Sequence, residues 1–201
     1  MTIFKSVQSV AAAQLAAAAF LIFPVFAQAG DVEAGRARAQ TCVACHGPGG
    51  NSPTSSVPTL AAQPEQALAT MLYQFREENR KNPVMSPFAA NLSNTEMNDL
   101  AAYFESEKRL APKHQTKPAN LELGPGLAKK YNCTQCHGPE LKGLQHIPNI
   151  RGQQHDYLLA QLQAFKAMKR ADMDGNMTSA STGLKDEDIV VLADYIAGLG
   201  N

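Results

Sequence analysis

The chain has 201 residues, of which 44% are hydrophobic, and its 18 basic and 18 acidic residues give a formal net charge of zero. This length and composition are typical of a globular protein with one or two domains. A balanced charge and a pI of about 7.0 give no support to nucleic-acid binding, so we expect no nucleic-acid partner.

The N-terminal segment, residues 1–29, is typical of a signal peptide. Lys5 supplies a positive charge, an uncharged apolar stretch follows, and the small residues at 27–29 precede a predicted cleavage site. An uncleaved anchor is the alternative, because residues 6–30 carry no charge and are long enough to cross a bilayer. Either form exports the folded part from the cytoplasm and would permit peripheral association with the membrane.

Two five-residue motifs of the form Cys-x-x-Cys-His follow, at residues 42–46 and 133–137. On a helix, positions i, i+3 and i+4 share one face, so two thiols and one imidazole can meet a flat partner. This is the c-type haem attachment signature, in which the thiols form thioethers and the histidine becomes the proximal iron ligand. We therefore predict two covalently bound haem c groups, held by Cys42, Cys45 and His46 and by Cys133, Cys136 and His137.

Other uses of the four cysteines fit less well. A thioredoxin-like pair needs neither the histidine nor a second copy. A four-cysteine zinc site normally takes its second pair from roughly 15 to 20 residues away, whereas Cys133 follows Cys45 by 88 residues. A disulfide within either pair would close a short, strained loop and contribute little stability.

The chain after residue 29 repeats one plan with a period near 91 residues. The two motifs are 91 residues apart, Pro58 and Pro148 are 90 apart, and Tyr103 and Tyr195 are 92 apart. A period of this length indicates an internal duplication rather than a solenoid. We predict two domains, residues 30–112 and residues 113–201, the second beginning with a polar, proline-flanked linker at 111–118.

Both copies are predicted to be all-α. In the first copy, residues 31–40 form a short helix, the Gly- and Pro-rich residues 47–58 form a loop, and Pro64 opens the next helix. Residues 93–96, Ser-Asn-Thr-Glu, form a capping box that opens the last helix. The predicted core stripes of the two last helices are Met97, Leu100, Ala101 and Phe104, and Ile189, Leu192, Ala193 and Ile196. In the second copy Asp186 is the candidate cap.

Two methionines are candidates for the sixth position of the irons. Met85 lies in a loop that two prolines stiffen, and Met177 lies the same seven residues before an equivalent leucine. Thioether ligation raises the reduction potential and closes the site to substrate. Met173 is the alternative to Met177. The remaining methionines inside the mature chain, Met71, Met97 and Met168, are predicted to pack in the core.

Pro58 and Pro148 are placed so that their carbonyl groups could accept a hydrogen bond from the proximal histidine rings and fix their tautomers. The alternative is that they are ordinary loop prolines. His114, His146 and His155 have no equivalents in the first copy, and we expect linker or surface roles for them.

Four features carry a resemblance to a known family: the two haem motifs, the segment 82–87, the segment 148–153 and the Leu-Ala-x-Tyr-Ile end of the last helix. Through them, nearly all of residues 31–199 resembles the dihaem class I cytochromes c of the cytochrome c4 type. The resemblance implies two tandem class I cytochrome c domains with His46 and His137 as proximal and Met85 and Met177 as distal ligands. One departure is Ala62, which stands where the second copy has Gly152, and which leaves the shape of that turn open.

The resemblance also implies a periplasmic electron carrier between a bc1-type donor and a terminal oxidase or reductase, with no small-molecule substrate and no enzyme activity of its own. The alternative is a dihaem subunit of an oxidoreductase complex, such as that of a flavocytochrome c sulfide dehydrogenase. A dihaem peroxidase would need an exchangeable iron site. Residues 30–112 carry 7 basic and 9 acidic residues and residues 113–201 carry 10 and 9, a weak dipole that could separate the donor and acceptor surfaces.

Overall fold

The computed structural model describes residues 29–200 of the protein. All but the last residue of the predicted signal peptide lie outside this range, as does Asn201. Within it the chain is helical and contains no β-strand, which confirms the predicted all-α fold. No helix among the described residues has the length and hydropathy needed to cross a bilayer.

Ten α-helices occur in residues 29–200, and the order of the first five is repeated by the last five. The first half contains α1 (Val32–Arg38), α2 (Val43–His46), α3 (Glu65–Arg76), α4 (Met85–Ala89) and α5 (Asn94–Ser106). The second half contains α6 (Pro118–Lys130), α7 (Cys133–His137), α8 (His155–Lys166), α9 (Asn176–Thr182) and α10 (Asp186–Ala197). Short 3-10 helices at Ala39–Thr41 and Pro48–Gly50 flank α2.

The helix starts follow the predicted signals with two exceptions. The capping box of Ser93 and Glu96 is present at α5, whereas α3 begins one residue after Pro64, which is its N-cap. The predicted Asp186 cap is wrong, because Asp186 is the first residue of α10 and Lys185 precedes it without a side-chain cap. The negative charge of the first turn still favours this end of the helix dipole.

Each half has its own core. In the first, α5 packs against α1 and α3, and in the second, α10 packs against α6 and α8. Both predicted stripes on α5 and α10 are buried. Met168, predicted to pack in the core, is instead 76% exposed, because α8 ends before it and its φ of +54° turns the chain outward.

The segment between the halves, residues 108–117, forms no regular structure, as predicted for a linker, and Pro118 opens α6 instead of closing the linker. It is nevertheless attached to the second half. The Thr116 hydroxyl donates to the Asp194 backbone carbonyl, the Lys117 N–H donates to the Asp194 carboxylate, and His114 contacts the same carboxylate. The domain boundaries at residues 112 and 113 stay a prediction.

Candidate haem-binding sites

The two predicted proximal histidines end short helices and have the same environment. His46 ends α2, His137 ends α7, and their side chains are buried, with 6% and 8% of the residue exposed. Nδ1 of His46 lies 2.8 Å from the Pro58 carbonyl oxygen, and Nδ1 of His137 lies 2.8 Å from that of Pro148. The predicted contacts to both prolines are confirmed.

These contacts fix which ring nitrogen is available to a metal. A carbonyl can only accept, so Nδ1 of each ring carries the proton and Nε2 keeps its lone pair. Burial lowers the pKa of His46 and of His137, and outweighs the opposing effect of the proline carbonyl. Each ring is therefore neutral at pH 7, which is the form that ligates iron.

None of the four cysteines of the motifs forms a disulfide in the described part of the chain. Cys42 and Cys133 are half-buried, and burial raises the pKa of both thiols, whereas Cys45 and Cys136 are exposed. Each motif thus presents two unpaired sulfurs one helical turn apart beside a lone-pair nitrogen. This donor set fits covalent attachment of haem c.

Exposed apolar side chains accompany these donors. Val84, Phe88 and Leu144 each expose more than half of their surface. Val84 and Phe88 flank the predicted ligand Met85, and Leu144 follows His137 by seven residues. Their exposure fits an apolar porphyrin surface that covers them.

Met85 begins α4, and its position is set by Asn82. The Asn82 side-chain oxygen accepts hydrogen bonds from the N–H groups of Val84 at 2.9 Å and Met85 at 2.8 Å. The Asn82 N–H donates to the Ser86 hydroxyl at 3.1 Å. Because these bonds fix the backbone on both sides of Met85, its half-buried side chain leaves the chain from a defined point.

Met177 is held in the same way by a charged residue. The Asp172 carboxylate accepts from the Met177 N–H at 2.8 Å and from the Thr178 N–H and hydroxyl at 2.9 and 2.5 Å. Burial raises the pKa of Asp172, but hydrogen bonds from the Thr178 hydroxyl and from the Met177 and Thr178 N–H groups outweigh it and lower the pKa to about 2. Asp172 is therefore a carboxylate at pH 7.

Met173, the alternative ligand, lies elsewhere. It is 62% exposed and lines a shallow surface pocket together with Tyr73 and Met97 of the first half. No side chain comparable to Asp172 or Asn82 fixes its backbone among the described residues. The arrangement favours Met177 over Met173 as the predicted distal ligand of the second site.

Two glutamines join the proximal sides of the two sites. Gln153 Oε1 accepts from the Thr59 N–H at 2.7 Å, and its Nε2 donates to the Thr59 carbonyl at 2.8 Å. Gln63 makes the same pair with the Asn149 N–H and carbonyl, at 2.9 and 2.6 Å. All four residues are buried. Thr59 and Asn149 each follow the proline that orients a proximal histidine, so each glutamine holds the peptide beside the histidine contact of the other half.

A second group of contacts between the halves involves two arginines 90 residues apart. Arg80 donates to the Tyr157 hydroxyl at 3.1 Å and to Gln161 Oε1 at 3.0 Å, and Arg170 donates to the same Gln161 oxygen at 2.6 Å. Both guanidinium groups also contact the Met71 sulfur, at 3.2 and 3.4 Å. Met71, predicted to pack in the core, is instead half-buried and lies at the contact between the halves.

Arg170 also carries a buried atom without a partner. Its Nε and the Gln74 Oε1 are buried and make no hydrogen bond within the described residues. A buried donor without an acceptor is costly, and an anionic group such as a haem propionate is a fitting acceptor for a guanidinium N–H. The unpaired Nε is a further observation that fits bound haem.

Arg109 ties the end of the first half to the second. Its guanidinium donates to the carbonyl groups of Ala61 and Arg151, at 3.0 and 2.7 Å, and it is buried. Burial lowers the pKa of Arg109 to about 10, so it remains a cation at pH 7. Carbonyl oxygens from both halves thus share one buried charge.

A duplicated all-α fold in which each half presents a c-type attachment motif and a neutral, oriented histidine defines a dihaem c-type cytochrome with two tandem class I domains. Family models agree: one described as cytochrome c matches residues 121–200, and one described as cytochrome C oxidase, cbb3-type, subunit III matches residues 31–104. A cytochrome c4 from Pseudomonas aeruginosa is 35% identical over 85% of this chain and 90% of its own length. The chain belongs to the cytochrome c4 family.

Two further comparisons agree with this assignment. The crystal structure of reduced recombinant cytochrome c4 from Pseudomonas stutzeri superposes with a TM-score of 0.78 at 33% identity, over 85% of this chain and 100% of the other. A protein of Thiomonas intermedia named thiosulfate dehydrogenase electron acceptor is 33% identical over 79% of this chain and 78% of its own length. The protein binds two covalent haem c groups, and it is an electron carrier rather than an enzyme.

Several residues of the site were not singled out from the sequence. The offset of 90 residues between Gln63 and Gln153 was visible, but it did not reveal that each glutamine bonds the opposite half. Arg80 and Arg170 share the same offset and could have been found by extending the alignment of the two copies. Asp172 shares this offset with Asn82, so the same alignment would have paired these two residues, although one side chain is charged and the other neutral.

Proposed function

We propose that this protein is a periplasmic carrier that shuttles electrons between a bc1-type respiratory donor and a terminal oxidase or reductase. Haem c supplies a one-electron Fe(III)/Fe(II) couple when bound. The chain's own residues then decide whether each iron is open to small molecules, how its potential is set and where partners dock. The proposed domains are residues 30–112 and 113–201, preceded by a signal peptide at 1–29 that directs export.

One histidine and one methionine are proposed to hold each iron. His46 and Met85 would hold the first, and His137 and Met177 the second. The proximal rings are already neutral and oriented by Pro58 and Pro148, while Asn82 and Asp172 fix the backbone of the two methionines. With both side chains bound, each iron would have no position free for substrate, which suits electron transfer rather than catalysis.

The single observation that carries the proposal is that Gln63 and Gln153 each form two hydrogen bonds with the backbone of the opposite half. Through it, the peptide next to each proximal histidine contact is bonded to the other half. This pairing holds the two proximal sides at a fixed separation. A carrier that accepts an electron on one half and releases it from the other requires such a fixed relation.

The weak charge difference between the halves supports separate docking surfaces. Residues 30–112 carry two more acidic than basic residues, and residues 113–201 carry one more basic than acidic residue. Opposite signs favour opposite partner surfaces during encounter. Charge reversals in one half should then change the rate with one partner and leave the other rate unaltered.

The test uses the exported holoprotein. Iron and haem determination should give two haems per chain, and optical and magnetic spectra should show two low-spin irons that do not bind cyanide at rest. Stopped-flow mixing with a purified bc1-type complex and with a terminal oxidase should give rapid reduction and rapid reoxidation. If the protein reacted with neither complex, this result would contradict the proposed shuttle. A high-spin iron would instead favour a dihaem peroxidase.

A second function is favoured by the Thiomonas relative. Its name makes it an acceptor of electrons from thiosulfate dehydrogenase, so a sulfur-compound dehydrogenase is an alternative donor for this chain. A dihaem subunit of a complex such as flavocytochrome c sulfide dehydrogenase is the related possibility. Co-purification of a flavoprotein or a dehydrogenase in equal amount would favour this function over the free shuttle.

A further inference from the structure

Two half-buried histidines and one buried aspartate from separate parts of the second half lie close together. His114 comes from the linker, His155 from the start of α8 and Asp194 from α10. One ring nitrogen of each histidine and one carboxylate oxygen lie within 4.8 Å of one another. The sequence predicted only linker or surface roles for the two histidines, and the fold brings them together.

The spacing suits a small cation. His114 Nε2 lies 2.8 Å from Asp194 Oδ1, and the two imidazole rings are stacked with centroids 4.7 Å apart. Nitrogen and oxygen ligands at about 2.0–2.2 Å from a tetrahedral Zn²⁺ lie roughly 3.3 Å from one another. Because parallel rings direct their lone pairs side by side, one ring must turn toward the other on binding. Both histidines are half-buried at the surface, which leaves room for this rotation.

The surrounding hydrogen bonds already orient the donors. Asp194 Oδ2 accepts from the Lys117 N–H at 3.0 Å and from Asn120 Nδ2 at 2.8 Å, so Oδ1 is the oxygen turned toward His114. His155 Nδ1 lies 2.8 Å from Asp156 Oδ1. A carboxylate on one ring nitrogen places the proton there and leaves a lone pair on Nε2, an arrangement typical of metal-binding histidines. By the same argument His114 Nε2 carries a proton toward Asp194, and this proton is released to water when a cation takes its place between the two groups.

We propose that His114, His155 and Asp194 form a binding site for a divalent transition-metal ion, with water completing its coordination. Two imidazoles and one carboxylate suit Zn²⁺ and Cu²⁺ better than the hard cations Mg²⁺ and Ca²⁺, which prefer oxygen ligands. The site is separate from the haem ligands and adds to the proposed function. Since His114 belongs to the linker, a bound ion fastens the linker to α8 and α10.

The neighbourhood extends this effect toward the first half. The Asp156 carboxylate that orients His155 also accepts a hydrogen bond from the Ser55 hydroxyl. The Tyr157 N–H donates to the Ser55 carbonyl at 3.0 Å. An ion that fixes His155 therefore stabilises a segment that contacts both halves, and binding should raise the unfolding temperature of the holoprotein.

The experiment is equilibrium dialysis of the metal-depleted holoprotein against Zn²⁺, with zinc and iron counted per chain. Zinc is the probe because it does not exchange electrons with haem. We expect one zinc for every two irons. His114→Gln and His155→Gln should each weaken binding at least about tenfold, because loss of a ligand exceeds the effect of losing a residue that only orients one.

The matched control is His146→Gln. His146 is an exposed histidine with a single carboxylate, Asp174, at 3.5 Å, and its replacement should leave zinc binding unchanged. A second readout is the zinc-dependent rise in unfolding temperature, which should occur in the wild-type protein and the control and disappear in His114→Gln and His155→Gln.

Two results would overturn the site. One is that the wild-type holoprotein retains no zinc, and the other is that His114→Gln and His155→Gln both retain as much zinc as the wild-type protein. If His114→Gln unfolds because the linker loses its contact with Asp194, His155→Gln decides, since among the described residues that side chain bonds only Asp156 and stacks on His114. Unchanged haem spectra in the absence of zinc verify that each variant is folded.

Discussion

The two methionine segments accomplish one task with different chemistry. In the first half the neutral Asn82 side chain holds the Met85 N–H three residues on, and in the second half the charged Asp172 holds the Met177 N–H five residues on. The proximal sides show no such difference, since both histidine-to-proline distances are 2.8 Å. The proximal sides are tied together by the contact between the halves, whereas the methionine segments were free to diverge.

With Met85 and Met177 as the proposed ligands, this divergence would place the two irons in different electrostatic surroundings. A carboxylate beside one proposed ligand stabilises the more positive, oxidised iron, and a neutral amide beside the other does not. The two halves should therefore differ in reduction potential although their proximal ligands match. Each prediction below either removes this difference or tests the similarity that accompanies it.

The largest effect is expected from the proposed distal ligands. Met85→Ala and Met177→Ala should each open one of the two irons, making it high-spin and able to bind cyanide, and should lower its potential on the order of 100 mV or more. Redox titration with magnetic spectroscopy measures both changes. Met173→Ala is the matched control and should leave both irons unaltered. Loss of ligation in that variant instead of Met177→Ala would transfer the role to Met173.

The contact between the halves predicts a crossed effect. Gln153→Leu leaves the buried Thr59 N–H without a partner and leaves the Thr59 carbonyl only the 3.4 Å contact with Arg109 Nη2, and should cost about 2–3 kcal/mol of unfolding free energy. Because Thr59 follows the proline bonded to His46, this replacement in the second half should perturb the first haem. Gln63→Leu should perturb the second haem instead. Denaturant unfolding and site-resolved potentials measure the two effects, and perturbation of the haem in the mutated half alone would contradict the crossed arrangement.

Tyr157 has no equivalent in the first half, where Ala67 stands 90 residues earlier. Burial raises the pKa of Tyr157, but the Arg80 and Arg170 cations outweigh it and lower the pKa to about 8. The unfolded value is about 10. A lower pKa in the folded state means that the unfolding free energy rises between pH 8 and pH 10, by on the order of 2 kcal/mol, and that this gain is lost as the pH falls through 8.

Denaturant unfolding across this pH range, with Tyr157→Phe as the reference, isolates the contribution of the hydroxyl. The difference between the two proteins should grow from pH 8 to pH 10. A difference that stays constant over this range would mean that other anions, such as haem propionates, already neutralise the two guanidinium groups.

A smaller effect is expected from exchanging the two orienting side chains. Asp172→Asn removes the charge but keeps an oxygen that can accept from the Met177 N–H, and should cost about 1–2 kcal/mol. It should also raise the potential of the second haem toward that of the first, by on the order of tens of millivolts. Asn82→Asp is the reciprocal variant and should lower the first potential. An unchanged gap between the two potentials in both variants would remove Asp172 as its source.

The sequence predicted the parts of this fold that are local. The two haem motifs, the capping box at Ser93 and the buried stripes of α5 and α10 depend on residues within one helix or one turn, and the structure contains all of them. The hydrogen bonds that the Pro58 and Pro148 carbonyl groups accept from the histidine rings were also predicted, because both copies of the chain place a proline at the equivalent position.

Contacts between the halves were not predictable in the same way. Neither the partners of Gln63 and Gln153 nor the meeting of His114 with Asp194 follows from spacing along the chain, since each joins residues about 80 or more positions apart. Met168 shows the opposite error: its spacing matched a helical stripe, but α8 ends before it. Periodicity predicts which face of a helix is buried and does not predict where the helix ends.

The smallest predicted effect concerns the turn at which the two copies differ in sequence. Ala62 and Gly152 occupy equivalent positions and have nearly the same conformation, with φ of +53° and +60°. Their N–H groups bond equivalent carbonyls, those of Phe104 at 2.8 Å and Ile196 at 2.9 Å. The turn left open by the sequence difference therefore has one shape in both halves, and Ala62 adopts the left-handed conformation that suits glycine.

Ala62→Gly should consequently stabilise the protein slightly. Relief of the left-handed strain, about 1–2 kcal/mol, exceeds the added freedom of the unfolded chain, about 0.4–1 kcal/mol, so denaturant unfolding should show a gain of roughly 0.5–1 kcal/mol. Gly152→Ala should have the opposite sign, because its Cβ would also approach the Leu199 carbonyl oxygen to 2.8 Å. If both substitutions destabilised the protein, the hydrogen bonds that hold Ala62 would have to compensate fully for its left-handed backbone strain. The two turns would then have the same shape but different conformational energies.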